Sequence, residues 1–92
     1  MTSLFSLGQV VATSGALEAL ERAGDMPEVY LGRHERGDWG DVCEEDWKDN
    51  DFSVNSNLRL FSTYTLSDGE TKLWIITEAD RSATTLLLPS EY

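Results

Sequence analysis

The chain has 92 residues, with seven lysines and arginines against seventeen aspartates and glutamates, and a formal net charge of −10. This length fits one domain with a modest hydrophobic core and is too short for two independent cores. The charge disfavours adhesion to nucleic acids and anionic lipids, because both are polyanions. We therefore expect a single domain, residues 1–92, that binds neither nucleic acid nor a membrane directly.

Targeting features favour a cytoplasmic protein. The only cysteine is Cys43, so no internal disulfide can form. The first residues, MTSLFSL, lack the basic and long apolar regions of a secretory signal. The apolar runs at 73–76 and 86–88 are much shorter than the ~20 residues of a membrane span.

The N-terminal part predicts a strand followed by a helix. Apolar residues alternate within 5–12, which favours a short strand. Thr13, Ser14 and Gly15 are typical capping residues, and 16–23 is a run of strong helix formers. Gly24 is the expected end of this helix.

Two further helices are predicted from repeated capping-box spacing. Asp25 precedes Glu28 by three residues, and Asp41 precedes Glu44 by three, so both aspartates are the expected N-caps. The first of these helices should end near 37, and the second should reach 52 or 54. The second helix is expected to carry three apolar residues on one face, namely Cys43, Trp47 and Val54.

The C-terminal part predicts a three-stranded antiparallel meander. Strand-like runs at 58–66 and 71–77 flank Asp68-Gly69, which is a strong hairpin signal. A third strand is expected at 83–88, ended by Pro89. The predicted fold class is α+β with the order β-α-α-α-β-β-β, and the helices are expected on one face of the sheet.

The densest charge lies in residues 38–51, which hold seven acids and one lysine and so carry a net charge of −6. The acids are Asp38, Asp41, Glu44, Glu45, Asp46, Asp49 and Asp51.

Three interpretations of this acidic segment compete. In the first it is a solvated helix, whose early acids cap the helix and complement its dipole. In the second the carboxylates imitate nucleic acid and occupy a basic groove built for phosphates. Asp46, Asp49 and Asp51 favour this interpretation, because the sequence predicts that they lie beyond the capping turn. The third, a divalent-cation site, lacks the calcium-loop pattern, and we expect no metal and no cofactor.

His34 is the only histidine and the natural candidate for a general base. The sequence has no nucleophile-elbow motif, and one histidine with one cysteine cannot form the usual zinc site. We therefore expect His34 to make structural hydrogen bonds near a helix C-terminus. Trp39, between two glycines, is expected to anchor a tight turn in the core. Arg81, in the polar stretch 78–82, is either paired locally or a donor to a partner carboxylate.

Several strings resemble a family of small acidic bacterial proteins associated with plasmids and other mobile elements. They are FSLGQVVAT at 5–13, GALEAL at 15–20, RH at 33–34, GDWGD at 37–41, WIITEADRS at 74–82 and LLPSEY at 87–92. Members are commonly labelled plasmid-related or named after restriction–modification subunits. The resemblance implies a mobile-element context and supplies no catalytic residue or cofactor.

The leading hypothesis is a noncatalytic binding protein that inhibits a host defence complex, of restriction or CRISPR type, by nucleic-acid mimicry. Its partner would be a protein with a basic nucleic-acid-binding surface, contacted by the seven acids and Arg81. The alternative is an accessory or regulatory module that binds a protein partner through apolar and mixed-charge surface. A third candidate is a small hydrolase-like enzyme using His34.

Overall fold

A computed structural model describes residues 3–92 and confirms the α+β class and the element order. The strands are β1 (Gln9–Ala12), β2 (Leu60–Thr65), β3 (Lys72–Thr77) and β4 (Ala83–Leu87), the helices are α1 (Ser14–Ala23), α2 (Pro27–Glu35) and α3 (Glu44–Ser56), and a 3-10 turn covers Pro89–Glu91. Within this described part, no helix is long and apolar enough to cross a membrane.

The four strands form one sheet in the order β1-β4-β3-β2. The antiparallel β2-β3-β4 meander follows the prediction. β1 joins the far side of β4 in parallel, with Gln9 opposite Ala83 and Ala12 opposite Leu86. The strand predicted at 5–12 begins only at Gln9, because Gly8 has a φ of 65°, outside the extended region.

The hydrophobic core lies between the helices and one face of the sheet. Strand residues alternate in burial, so that Leu60, Ser62 and Tyr64 of β2 point inward. Helices α1 and α2 add small and aromatic side chains from the other layer. The buried cluster consists of Ala16, Ala19, Leu20, Tyr30, Tyr64, Leu66, Leu73, Ile75 and Leu86.

The predicted cap of α1 is confirmed, since the Thr13 hydroxyl accepts from the Ala16 N–H at 3.1 Å. The predicted caps of α2 and α3 are wrong. Met26 and Cys43 occupy those N-cap positions, and neither makes a side-chain capping hydrogen bond.

Both aspartates expected as caps accept hydrogen bonds from residues in or just after β2 instead. Pro27 fixes the start of α2 one residue later than a cap at Asp25 requires, and Asp25 accepts from Ser67 beyond β2. Asp41 is drawn to the sheet edge, where it accepts from the Thr65 hydroxyl.

The third helix also differs from the prediction at its end and on its apolar face. α3 continues to Ser56, past both predicted ends, and stops at Asn57, which adopts a left-handed φ of 52°. Trp47 and Val54 are half-buried, as expected. Cys43 is exposed, so its placement on the apolar face was wrong.

The outer edge of β2 is covered by the segment that leads into α3 and by α3 itself. Trp39 is fully buried, as predicted, and its carbonyl accepts from the Thr63 N–H. Gly40 lies against Thr63 with a φ of 79°, and an added Cβ would stand 2.1 Å from the Thr63 carbonyl oxygen. Asn50 of α3 accepts from the Phe61 N–H at 3.1 Å and donates to its carbonyl at 2.7 Å. The Asn50 side chain therefore takes the place of a fifth strand at this point.

Replacing Asn50 by alanine is expected to lower the free energy of unfolding by about 2 kcal/mol, because the Phe61 N–H and carbonyl both lose their partner. Urea denaturation of Asn50→Ala and of the matched Asn55→Ala variant provides the measurement. Asn55 lies on the same helix but is exposed, so its replacement should leave stability nearly unchanged. Equal stability of the two variants would contradict this role for Asn50.

Candidate functional site

The seven acids of residues 38–51 lie in two different environments. Asp38, Asp41 and Asp51 accept hydrogen bonds from side chains outside the segment or from its buried tryptophan. The remaining four are exposed on the first two turns of α3 and accept no side-chain hydrogen bond within residues 3–92. They are Glu44, Glu45, Asp46 and Asp49.

Asp38 holds the turn before α3. Arg33 Nε donates to Asp38 Oδ2 at 2.7 Å, and the Gly40 N–H donates to Oδ1 at 3.2 Å. The hydrogen bond from Arg33 is the main cause that keeps the pKa of Asp38 below its usual value. The Tyr64 hydroxyl donates to the Asp38 carbonyl at 2.6 Å, so both ends of this residue are tied to the core.

Asp41 and Asp51 connect the acidic segment to the sheet and to the core. The Thr65 hydroxyl donates to Asp41 Oδ2 at 2.7 Å, and Lys72 Nζ lies 3.7 Å from the same oxygen. The Trp39 indole N–H donates to Asp51 Oδ1 at 2.9 Å. Part of the local charge therefore serves the fold.

The structure corrects one step of the sequence argument. Because α3 begins at Glu44, Asp46 lies in its first turn together with Glu45. Glu44, Glu45 and Asp46 therefore all complement the positive end of the helix dipole. Glu44 also lies 3.4 Å from Lys48, an exposed pair that contributes little stability.

Two of the remaining acids, Glu45 and Asp49, lie toward the same side of α3 as an exposed aromatic ring. At about 100° per residue, Glu45, Lys48 and Phe52 lie on the side of α3 opposite the buried Asn50, and Asp49 lies next to this side, about 100° from Asn50. Phe52 is 67% exposed, which is unusual for a phenylalanine. We define the acidic face of α3 as Glu44, Glu45, Lys48, Asp49 and Phe52, with Asp46 at its margin.

His34 occupies the centre of a buried polar network, and its expected structural role is confirmed. Its side chain has no exposed surface. Nδ1 lies 2.5 Å from the Ser62 hydroxyl, and Nε2 lies 2.9 Å from the Thr77 hydroxyl. The rings of Phe5 and Trp39 pack edge-on against the imidazole, with centroids at 5.2 and 5.5 Å.

The network fixes the tautomer of His34. The Leu7 carbonyl can only accept, so the Thr84 hydroxyl, at 2.7 Å, donates to it. The Thr84 oxygen then accepts from Thr77, which lies 2.7 Å away, and the Thr77 oxygen accepts from the Nε2–H of His34. Nδ1 is therefore unprotonated and accepts from Ser62. Burial, with the nearby charge of Arg81, lowers the pKa of His34 to about 3.

This arrangement pairs a serine hydroxyl with an imidazole, as nucleophilic enzymes do. Ser62, Thr77 and Thr84 are, however, as fully buried as His34 itself. A substrate therefore has no access to the pair in this conformation. Sequence reasoning did not identify these partners, although polar residues at the inward positions of alternating strands were the available signal.

Arg81 uses its guanidinium to bind main-chain carbonyls. Nη1 donates to Leu58 at 2.7 Å, to Glu78 at 3.1 Å and to Ala79 at 3.2 Å, and Nη2 donates to Ser53 at 2.8 Å. The Ser53 carbonyl lies in the last turn of α3, where a cation is favourable, and Leu58 follows the end of the helix. The guanidinium that we expected as a donor to a partner therefore makes hydrogen bonds within the protein itself.

The described residues 3–92 contain no group of three or more histidine, cysteine, aspartate or glutamate side chains arranged to hold a metal ion. Comparisons of the chain with family models, with curated proteins and with solved structures found no match.

We expect the His34 network to make folding sensitive to mild acid. The unfolded chain takes up a proton below pH 6.5, whereas folded His34 stays neutral down to about pH 3. Stability is therefore lost as the pH falls, by about 1.4 kcal/mol per unit, or roughly 2 kcal/mol between pH 6.5 and 5. Urea denaturation across this range should show a steeper loss for the native chain than for His34→Gln.

Because the chain has one histidine, NMR provides a direct control. The imidazole nitrogen shifts should report the Nε2–H tautomer and should not titrate between pH 8 and 5. A midpoint near 6.5 in the folded protein would contradict the network.

Removing the guanidinium in Arg81→Ala is expected to lower the free energy of unfolding by about 2 kcal/mol, because four carbonyl contacts are lost. Arg36→Ala is the matched control, since Arg36 is exposed at the C-terminal end of α2. Thermal or urea denaturation measures both. Unchanged stability of Arg81→Ala would release this residue for a role at a partner surface.

Proposed function

We propose that this protein is a noncatalytic binding protein whose acidic face of α3 occupies the basic, nucleic-acid-binding surface of a partner protein. The observation that carries the proposal is the exposed pair of carboxylates, Glu45 and Asp49, toward the same side of α3 as Phe52. The two acids lie one helical turn apart. Neither takes part in an ion pair within residues 3–92. Their charge is therefore available to a cationic surface.

The exposed ring of Phe52 fits this kind of partner. Proteins that bind single-stranded nucleic acids combine a basic groove for the backbone with aromatic platforms on which bases stack. An aromatic ring flanked by carboxylates offers the same two elements as a base flanked by phosphates. Phe52 would stack on such a platform while Glu45 and Asp49 meet lysines or arginines of the groove.

The class of partner follows from the resemblance to plasmid-associated proteins. Proteins of mobile elements act in cells that restrict foreign DNA, and defence complexes of the restriction or CRISPR type carry basic nucleic-acid grooves. We therefore propose a complex of this class as the target. Inhibition would result from competition for the groove and would weaken as salt rises.

Catalysis by His34 has less support than binding. A general base needs a substrate within hydrogen-bond reach, and both nitrogens of His34 are taken up by internal hydroxyls. The low pKa of His34 also makes its imidazole a weak base.

The test is affinity capture from a bacterial lysate at low and at high salt. Capture should occur at low salt, and duplex DNA or a single-stranded oligonucleotide should release the captured protein. Neutralising three carboxylates in Glu45→Gln/Asp46→Asn/Asp49→Asn should weaken capture by at least about tenfold, since each close charge pair contributes on the order of 1 kcal/mol or more.

The matched control is Glu18→Gln/Glu28→Gln/Glu70→Gln, which removes three exposed charges from other parts of the surface. Binding by this control should stay close to that of the native chain. Equal loss in both triple variants would indicate a response to net charge alone, and capture that resists high salt would contradict mimicry.

A further inference from the structure

A second surface, separate from α3, lies at the corner between α1 and α2. A groove of about 520 Å³ opens there, with Leu17, Leu20, Met26 and Pro27 as its apolar lining. Leu17 is 50% exposed and Met26 is 59% exposed. The groove thus leaves apolar area open to solvent.

Backbone hydrogen bonds hold the turn at this corner. Gly24 ends α1 with a φ of 73°, and the N–H groups of Gly24 and Asp25 donate to the carbonyls of Glu21 and Leu20 at 3.1 and 2.9 Å. No atom lies within 4 Å of a Cβ added at Gly24, so the glycine serves the turn and leaves the groove open. A preformed groove loses little entropy on binding.

The same groove is lined by two carboxylates, those of Glu21 and Asp25. Asp25 accepts from the Ser67 hydroxyl, from the Ser67 N–H at 2.8 Å and from the Tyr30 hydroxyl at 2.7 Å. These hydrogen bonds lower the pKa of Asp25, and the one from the Ser67 hydroxyl has the largest effect. The carboxylate of Asp25 therefore keeps its charge in mild acid. Within residues 3–92 neither carboxylate has an ion-pair partner.

We propose that this groove docks a basic amphipathic helix of a partner protein. Apolar side chains of that helix pack on Leu17 and Met26, and its lysines or arginines lie beside Glu21 and Asp25. This charge complementarity selects a basic segment over a neutral or acidic one. The proposal does not depend on the acidic face of α3.

The probe is a fluorescein-labelled helical peptide with a leucine face bordered by arginines, and fluorescence polarisation measures its binding. A second peptide carries glutamates in place of the arginines. We expect saturable binding of the arginine peptide only. Leu17→Ser and Met26→Ser should each weaken it by at least about tenfold, because each removes most of a buried apolar side chain. Glu21→Gln should weaken it less and reduce its salt dependence.

Two variants locate the binding. Val29→Ser is the matched control, since Val29 is 57% exposed on α2 but does not line the groove. The affinity of this variant for the arginine peptide should stay within about twofold of that of the native chain. Phe52→Ser alters the acidic face of α3 and should also leave peptide binding unchanged. Circular dichroism verifies that each variant is folded.

Four results would overturn the proposal. They are the absence of saturable binding, equal binding of the glutamate peptide, a loss in Phe52→Ser as large as in Met26→Ser, and self-association of the free chain through the groove. The last would appear as concentration-dependent NMR shifts at 17–27 and would identify a second copy as the occupant. Failure of capture by the acidic face of α3 leaves these outcomes unaffected.

Discussion

The imidazole of His34 joins α2 to three of the four strands and to the N-terminal segment. Its two nitrogens bind hydroxyls of β2 and β3, and the chain of hydrogen bonds continues through Thr84 of β4 to the Leu7 carbonyl. A buried polar group without its partner costs the full desolvation energy, so every member constrains the others. Thr77 and Thr84 are also direct cross-strand partners, and their hydroxyl contact therefore favours one register of β3 and β4.

The acidic segment depends on this centre through Trp39. The indole packs against His34 on one side, and its N–H donates to Asp51 of α3 on the other. The backbone of 39–41 meanwhile covers the edge of β2. A sheet edge left open invites pairing with other chains, and here the cover and the start of the acidic segment are the same residues. This explains why some of the carboxylates have structural partners while those on the outer side of α3 do not.

Periodicity and turn chemistry allowed much of the fold to be predicted from the sequence. The alternation in β2 and the Asp68-Gly69 turn identified the hairpin, and Thr13 identified the start of α1. These signals are local. The parallel partner of β1 depends on a pairing with a strand more than seventy positions away, and no local pattern specifies it. Asp25 and Asp41 were misassigned as caps because a residue distant in sequence, Ser67 or Thr65, donates to each carboxylate, and these contacts exist only after folding.

The candidate sites could likewise be predicted from the sequence only in part. Charge counting located the acidic segment, but only the structure separates Asp38, Asp41 and Asp51, which support the fold, from Glu45 and Asp49 beside Phe52. The partners of His34 are far apart in sequence, so their convergence could not be inferred from spacing. For Arg81 the sequence suggested a contact with a partner, because the charged side chain lies on a polar loop. Its guanidinium instead binds carbonyls of the protein itself.

The two proposed surfaces combine exposed apolar groups with unneutralised carboxylates, and this combination has a physical consequence. Phe52 on α3, and Leu17 and Met26 at the α1–α2 corner, would promote association between copies if their surroundings were neutral. With a net charge of −10 on every copy, like-charge repulsion opposes that association. The same charge attracts a basic partner, and the apolar groups can then be buried against it. Acidic surroundings thus favour binding to a cationic surface over self-association. The electrostatic energy is repulsive between two copies and attractive toward a basic partner, whereas burial of the apolar groups is favourable in both cases.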